Sequence, residues 1–214
     1  MMRTREEIKL QAKACYRSDM GTSIGAYIVF ALVCGVLSGA TGGVAAFILM
    51  PVLMIGYNFM LSRMYLGGKG NIGDIFTQAF TNFGRKLGGY LWMMLFTFLW
   101  SLLFYIPGIV KALAYSMTPY ILANEPNVKA KDALKLSMRM TQGYKAEIFV
   151  FYLSFIGWGL LSALTCGILE LVFVGPYRQL SMAGLYWELR ANAVANGVIT
   201  EEEFAGVAGE SYPF

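Results

Sequence analysis

Residues 23–66 read SIGAYIVFALVCGVL (23–37), SGATGG (38–43) and VAAFILMPVLMIGYNFMLSRMYL (44–66). Two apolar runs flank a turn that carries no charge, and Arg63 interrupts the second run only near its end. The pattern recurs twice. Runs 87–106 and 109–124 flank Pro107 and Gly108; runs 148–164 and 168–189 flank Thr165, Cys166 and Gly167. A bilayer core of about 30 Å takes about 20 apolar residues per helix, and several of these runs meet or approach that length. The expected fold class is therefore all-α: a polytopic transmembrane helical bundle, six helices arranged as three hairpins, with amphipathic helices at the cytoplasmic interface. The hairpins are 23–66, 87–124 and 148–189, within one transmembrane domain over 1–190, and a polar tail follows over 191–214.

Composition agrees. The 214 residues are 57% hydrophobic and 14% charged, with mean hydropathy +0.55; a soluble domain carries about 25% charged residues. The first run is short and has to stand upright, borrow turn residues or thin the bilayer. Ser38-Gly39-Ala40 resembles a leader cleavage site. The polar lead of about 20 residues is too long for a signal peptide, so the run is read as a retained helix. The chain has no histidine, which removes the commonest acid–base residue and metal ligand. Its three cysteines, Cys15, Cys34 and Cys166, show no metal spacing and are read as free thiols. No catalytic, cofactor-binding or metal-ligating residues are assigned, and the expected role is not enzymatic. A net charge of +4, with the aromatics spent in the apolar runs, speaks against a nucleic-acid partner. The expected partner is membrane lipid. Gly21 with Gly25, Gly35 with Gly39, and Gly157 with Gly159 allow close helix contact within a protomer or between protomers, so a homo-oligomer or a membrane partner stays open.

Charge sets the expected topology. Arg3, Arg5, Lys9, Lys13 and Arg17 precede the first hairpin. Arg63, Lys69, Arg85 and Lys86 separate the first from the second, and Lys129, Lys131, Lys135, Arg139 and Lys145 the second from the third. Basic residues collect on the cytoplasmic side, so six crossings place both termini in the cytoplasm of a plasma-membrane protein. Five crossings remain the alternative, with 148–174 as one tilted helix. Thr4 and Glu7 form a capping box, after which Arg5, Lys9, Lys13 and Arg17 recur every four residues, as Lys131, Lys135 and Arg139 do later. These form either a rim for anionic lipid heads or orientation signals alone. Asn71 is expected to cap a helix over 71–86 with Ile75, Phe76, Phe80 and Phe83 on one apolar stripe. Thr200 and Glu203 form a second capping box, and 209–214 are expected to be disordered.

Each returning run contains a proline: Pro51, Pro119 and Pro176. At 1.5 Å per residue they sit roughly 12–17 Å from the uncharged turns, near the midplane. Proline frees carbonyls that neighbours must satisfy. Tyr57 and Asn58, Ser116 and Thr118, and Tyr177 with Arg178 stand near these bends, so the three kinks either frame a polar cavity or merely shape a packed bundle. Arg178 is deep and needs a partner: a carbonyl freed by Pro176, Glu170, or a helix end. Lys111 and Glu170 each follow a turn glycine by three residues. They are either an ion pair between hairpins or two chains snorkelling separately.

Ile106-Pro107-Gly108-Ile109, Tyr115-Ser116-Met117 with Tyr120-Ile121-Leu122, Ser154-Phe155-Ile156-Gly157-Trp158 and Gly175-Pro176-Tyr177 resemble a bacterial membrane family catalogued as domain of unknown function nine-seven-five. The opening Arg5-Glu6-Glu7-Ile8-Lys9 is similar too, and the resemblance runs over about 3–189. It implies an uncharacterised integral membrane protein, mostly of Gram-positive bacteria, with no catalytic residues to carry over. Lys111 and Glu170 have no place in the family pattern. Two roles stay open: binding or passing a lipid, amphipathic peptide or small solute, and a structural or accessory subunit of a larger complex.

Overall fold

The computed structural model describes residues 3–40, 43–103 and 105–206. Over these the chain is helical, with no strand among the described residues. The expected disordered tail 209–214 and part of the first turn lie outside them. Helix α1, Arg5–Ser18, opens on the Thr4–Glu7 capping box and buries Ile8, Ala12 and Tyr16 at four-residue spacing. That spacing makes one face, which packs on α11, Gly175–Ala195. Helices α2, Met20–Ala40, and α3, Val44–Tyr65, form the first pair around Gly43, whose φ is +89°.

Among the described residues three segments are long and apolar enough to cross a membrane: Met20–Ala40, Val44–Tyr65 and Lys145–Leu164. The six expected runs are not six such helices. Chain 109–124 breaks into α6, Tyr105–Tyr115, and α7, Thr118–Asn124. Pro107 and Gly108 lie inside α6 instead of forming a turn; proline is tolerated there because a first-turn N–H has no intrahelical partner. The helix before it, α5, is Phe83–Leu103. In the third unit α9, Lys145–Leu153, and α10, Ile156–Leu164, are followed by the expected reversal, with φ +51° at Cys166 and +83° at Gly167. A π-helical stretch, Glu170–Val174, then leads into α11.

The helix expected over 71–86 is two elements. Asn71 does cap it, accepting from the Gly73 N–H at 2.9 Å. But α4 is Ile72–Phe80, because Thr81 is extended and Asn82 turns left-handed at φ +53°. Ile75 and Ala79 of α4 are buried against α3, whereas Phe80 is exposed and stacks on Phe83. The paired glycines expected to bring helices together do not do so within the chain. A Cβ at Gly21, Gly35, Gly39, Gly157 or Gly159 would meet nothing within 4 Å, and one at Gly25 only a side chain at 3.5 Å.

Burial divides the chain into two tiers, and each proline marks the change. Before Pro51, Val44 is 69% exposed; after it, Val52 is 1% exposed and Ile55, Tyr57, Met60 and Leu61 are fully buried. Ile106, Ile109 and Val110 are exposed, whereas Met117, Tyr120, Ile121 and Leu122 are buried around Pro119. Ile168, Leu171 and Val172 are exposed before Pro176; Leu180, Ala183, Leu185 and Tyr186 are buried after it. The first tier, with α5 and α10, is an apolar belt of a size that soluble monomers do not leave open to water. The second is a protein core in which α3 lies against α4, α7 and α11. Helix α8, Ala130–Met140, packs its apolar face on α5, α6 and α7. Helix α11 runs through residue 190 without a break. Beyond it α12, Glu201–Phe204, carries the expected Thr200–Glu203 box and buries Phe204.

Candidate functional site: a polar centre at the proline level

The change of tier puts polar side chains where apolar helices converge. Arg178 stands in the first turn of α11, two residues after Pro176. Its guanidinium meets Glu170 Oε1 at 2.8 Å. Eight residues separate the two, and an α-helix needs about seven for two turns. The wider turn of the π stretch takes up the extra residue, so both side chains share a face. Glu170 also accepts from the Tyr27 hydroxyl of α2 at 3.4 Å and from Ser162 Oγ of α10 at 3.3 Å. Tyr27 reaches it by lying over Gly175, where a Cβ would come within 2.3 Å of the ring. The π stretch is tied from the other side by the Tyr16 hydroxyl of α1, which donates to the Val172 carbonyl at 2.6 Å.

Further in, Tyr57 Oη, both amide atoms of Asn58 and Thr118 Oγ1 are buried and have no hydrogen-bond partner among the described protein atoms. An unpaired buried polar group costs about 1–3 kcal/mol, and these stand on α3 and α7, which pack together. Tyr120 lies within electrostatic range of Tyr57, Tyr152 and Arg178. Its ring stacks on Tyr186 with centroids 5.6 Å apart. A groove of about 410 Å³ opens between α5, α6, α7 and α9 beside this cluster, and Ser116, Pro119 and Tyr152 line it with Thr97 and Ser101.

Of the residues singled out in the sequence, Ser116 and Pro119 line the groove, and Asn58 is among the unpaired buried groups. Pro51 and Pro176 are buried in the helices and shape them. Pro51 lies inside α3, whereas Pro119 and Pro176 stand in the first turn of a new helix. Of the two readings of Lys111 and Glu170, the ion pair is not formed, and Glu170 is instead the partner of Arg178, one of the three that the sequence offered that arginine. Lys111 Nζ lies 4.0 Å from Met138 Sδ and 4.9 Å from the Trp100 ring centre. Gly108 lies inside α6 and makes no turn, so equal spacing from Gly108 and Gly167 does not put Lys111 and Glu170 at one depth.

The basic rim divides. Lys9 donates to Ser154 Oγ and lies 4.5 Å from the Phe155 ring centre, pinning α1 to α9; burial pushes its ammonium below the usual value. Arg139 pairs with Glu203 at 2.7 Å and donates to the Val198 carbonyl. Arg5 and Arg17 are exposed and Lys13 is half-buried. Lys131 and Lys135 face a groove of their own. Arg85 closes the C-terminal end of α7, donating to the carbonyls of Leu122, Glu125 and Val128 at 2.7, 3.1 and 2.7 Å. A cation there opposes the negative end of the helix dipole. The three cysteines are free.

Sequence reasoning picked out Thr118 but missed Tyr27, Tyr120, Tyr152 and Ser162. The one visible signal was a tyrosine directly after Pro119 and after Pro176. No curated protein and no solved structure matches the chain. The stretch holding Pro119, α8, Glu170 and Arg178 does have a match: residues 105–193 fit the model of the family described as Protein of unknown function (DUF975), the family that the sequence resembles.

Proposed function

We propose that this chain is a multi-pass plasma-membrane protein of bacterial origin that holds a lipid, amphipathic peptide or small solute at the polar centre. The reading rests on one observation: Tyr57, Asn58 and Thr118 carry buried polar atoms with no partner among the described protein atoms, and Thr118 directly precedes Pro119, which lines the groove with Ser116. Polar groups at the proline level of an apolar bundle earn their cost by meeting a polar ligand. The role is read as binding or permeation and not as catalysis. Glu170 is held by Arg178, and the chain has no histidine to move protons.

The test compares purified wild type with Asn58→Leu/Thr118→Val. The pair keeps approximate volume and removes the polar atoms. The expected result is loss of a co-purifying lipid or solute that mass spectrometry detects in the wild type. Identical bound content in both proteins, with unchanged thermal stability, removes the binding role. It would favour the accessory role, in which the exposed apolar side of α5 and α10 meets a partner helix.

In the same reading the six apolar runs cross as three hairpins, with both termini in the cytoplasm. Basic residues near 3–17, 63–86 and 129–145 then fall on one side. Reporter fusions after Lys69, after Lys145 and at Phe214 are expected to report the cytoplasm. An extracytoplasmic signal at Phe214 alone would establish five crossings.

A further inference from the structure

We propose that the groove between α5, α6 and α8 seats an anionic phospholipid, with the phosphate on Lys131 and Lys135 and an acyl chain along Trp92 and Phe96. The groove holds about 310 Å³, and its described walls are apolar except for these two lysines, with no carboxylate among them. Lys131, Leu134, Lys135 and Met138 fall at helical spacing on one side of α8. A phosphate placed between two lysines four residues apart meets both charges. Lys131 is exposed, and its Nζ lies 5.2 Å from the Trp92 ring centre, at the groove wall. Lys111 adds a third positive charge at the far end, next to Met138 and Trp100, and makes no ion pair among the described residues.

The apolar wall continues into the exposed belt. Trp92, Leu95, Phe96 and Leu99 on α5 are all at least partly open. An acyl chain therefore enters sideways from the bilayer, while the headgroup meets the lysines. Charge complementarity and this continuity select a lipid over a soluble anion. The inference depends on the membrane placement but not on the role of the polar centre, whose residues Asn58, Thr118 and Arg178 are absent from this groove.

The test uses the full chain with Trp100→Phe, Trp158→Phe and Trp187→Phe, leaving Trp92 as the fluorophore. It is placed in vesicles of phosphatidylcholine and phosphatidylglycerol in equal parts, with bromine on the acyl chains of one lipid or the other. Brominated phosphatidylglycerol is expected to quench Trp92 more strongly. Lys131→Gln/Lys135→Gln is expected to reduce that preference roughly fivefold per lysine. Native mass spectrometry of the unmodified protein and the same double variant supplies a second readout: phosphatidylglycerol retained by the first and lost by the second. Equal quenching by both lipids, or a preference that survives the double substitution, overturns the proposal. So does displacement by soluble glycerol phosphate, which would make this a free-phosphate site. Shielding of Trp92 that grows with protein density, indicating a second copy in the groove, also overturns it. Retention of phosphatidylglycerol lost only on Asn58→Leu/Thr118→Val would move the lipid to the polar centre.

Discussion

Gly56→Val is expected to detach α4 from α3 and to cost about 3 kcal/mol or more of stability. A Cβ at Gly56 would lie 2.1 Å from the Ile75 carbonyl oxygen and 3.0 Å from the Ala79 amide nitrogen. Both are backbone atoms of a helix, so neither can rotate away. The whole of α4 has to move, and with it the burial of Ile75 and Ala79 and the Arg63–Asp74 pair at 3.0 Å. The measurement is thermal unfolding in detergent, with hydrogen exchange over residues 72–80. Fast exchange there with the other helices still protected is the expected pattern. Gly35→Ala, where a Cβ meets nothing within 4 Å, is the control and should unfold with the wild type. If Gly56→Val also matches the wild type, α4 does not lie against α3 at this glycine.

The second large effect concerns the Glu170–Arg178 pair. Glu170→Gln is expected to destabilise by about 1–2 kcal/mol, because it leaves the half-buried arginine charge without its partner. Arg178→Met should do the same by stranding the carboxylate, whose remaining partners, Tyr27 and Ser162, are neutral. Removing both charges should cost less than removing either. That ordering distinguishes a paired charge from two separate snorkelling groups, for which the double variant would show the sum of the single effects. Additivity would mean that the pair at 2.8 Å does not hold the π stretch against α11. The same series reports on the polar centre, since Arg178 lies within electrostatic range of Tyr120 and Tyr152.

Much of this architecture is written in local sequence. The caps at Thr4, Asn71 and Thr200 are read correctly because an N-cap needs only its own side chain and an N–H two or three residues on. The helical class and the candidate spans follow from hydropathy summed over a window. The reversal at residues 165–167 follows from a short uncharged turn with glycine at a left-handed position. Prolines 51, 119 and 176 were also visible as marks on the return runs, and burial changes at each of them.

What the prolines separate was decided by the tertiary structure. Hydropathy does not distinguish an apolar side chain facing the outer belt from one facing protein, so Val44 and Val52 look alike in sequence and differ completely in burial. The break of the 71–86 helix at Asn82 and of the 109–124 run before Thr118 comes from how α4 and α7 dock on α3. The partner of Glu170 depends on an extra residue accommodated by a π turn, which rotates every later side chain by about 100°. Residue types and caps are properties of the chain read a few positions at a time. Facing and pairing are set by neighbours distant in sequence, and so Asn58 of α3 and Thr118 of α7 come to share one core only when the helices pack.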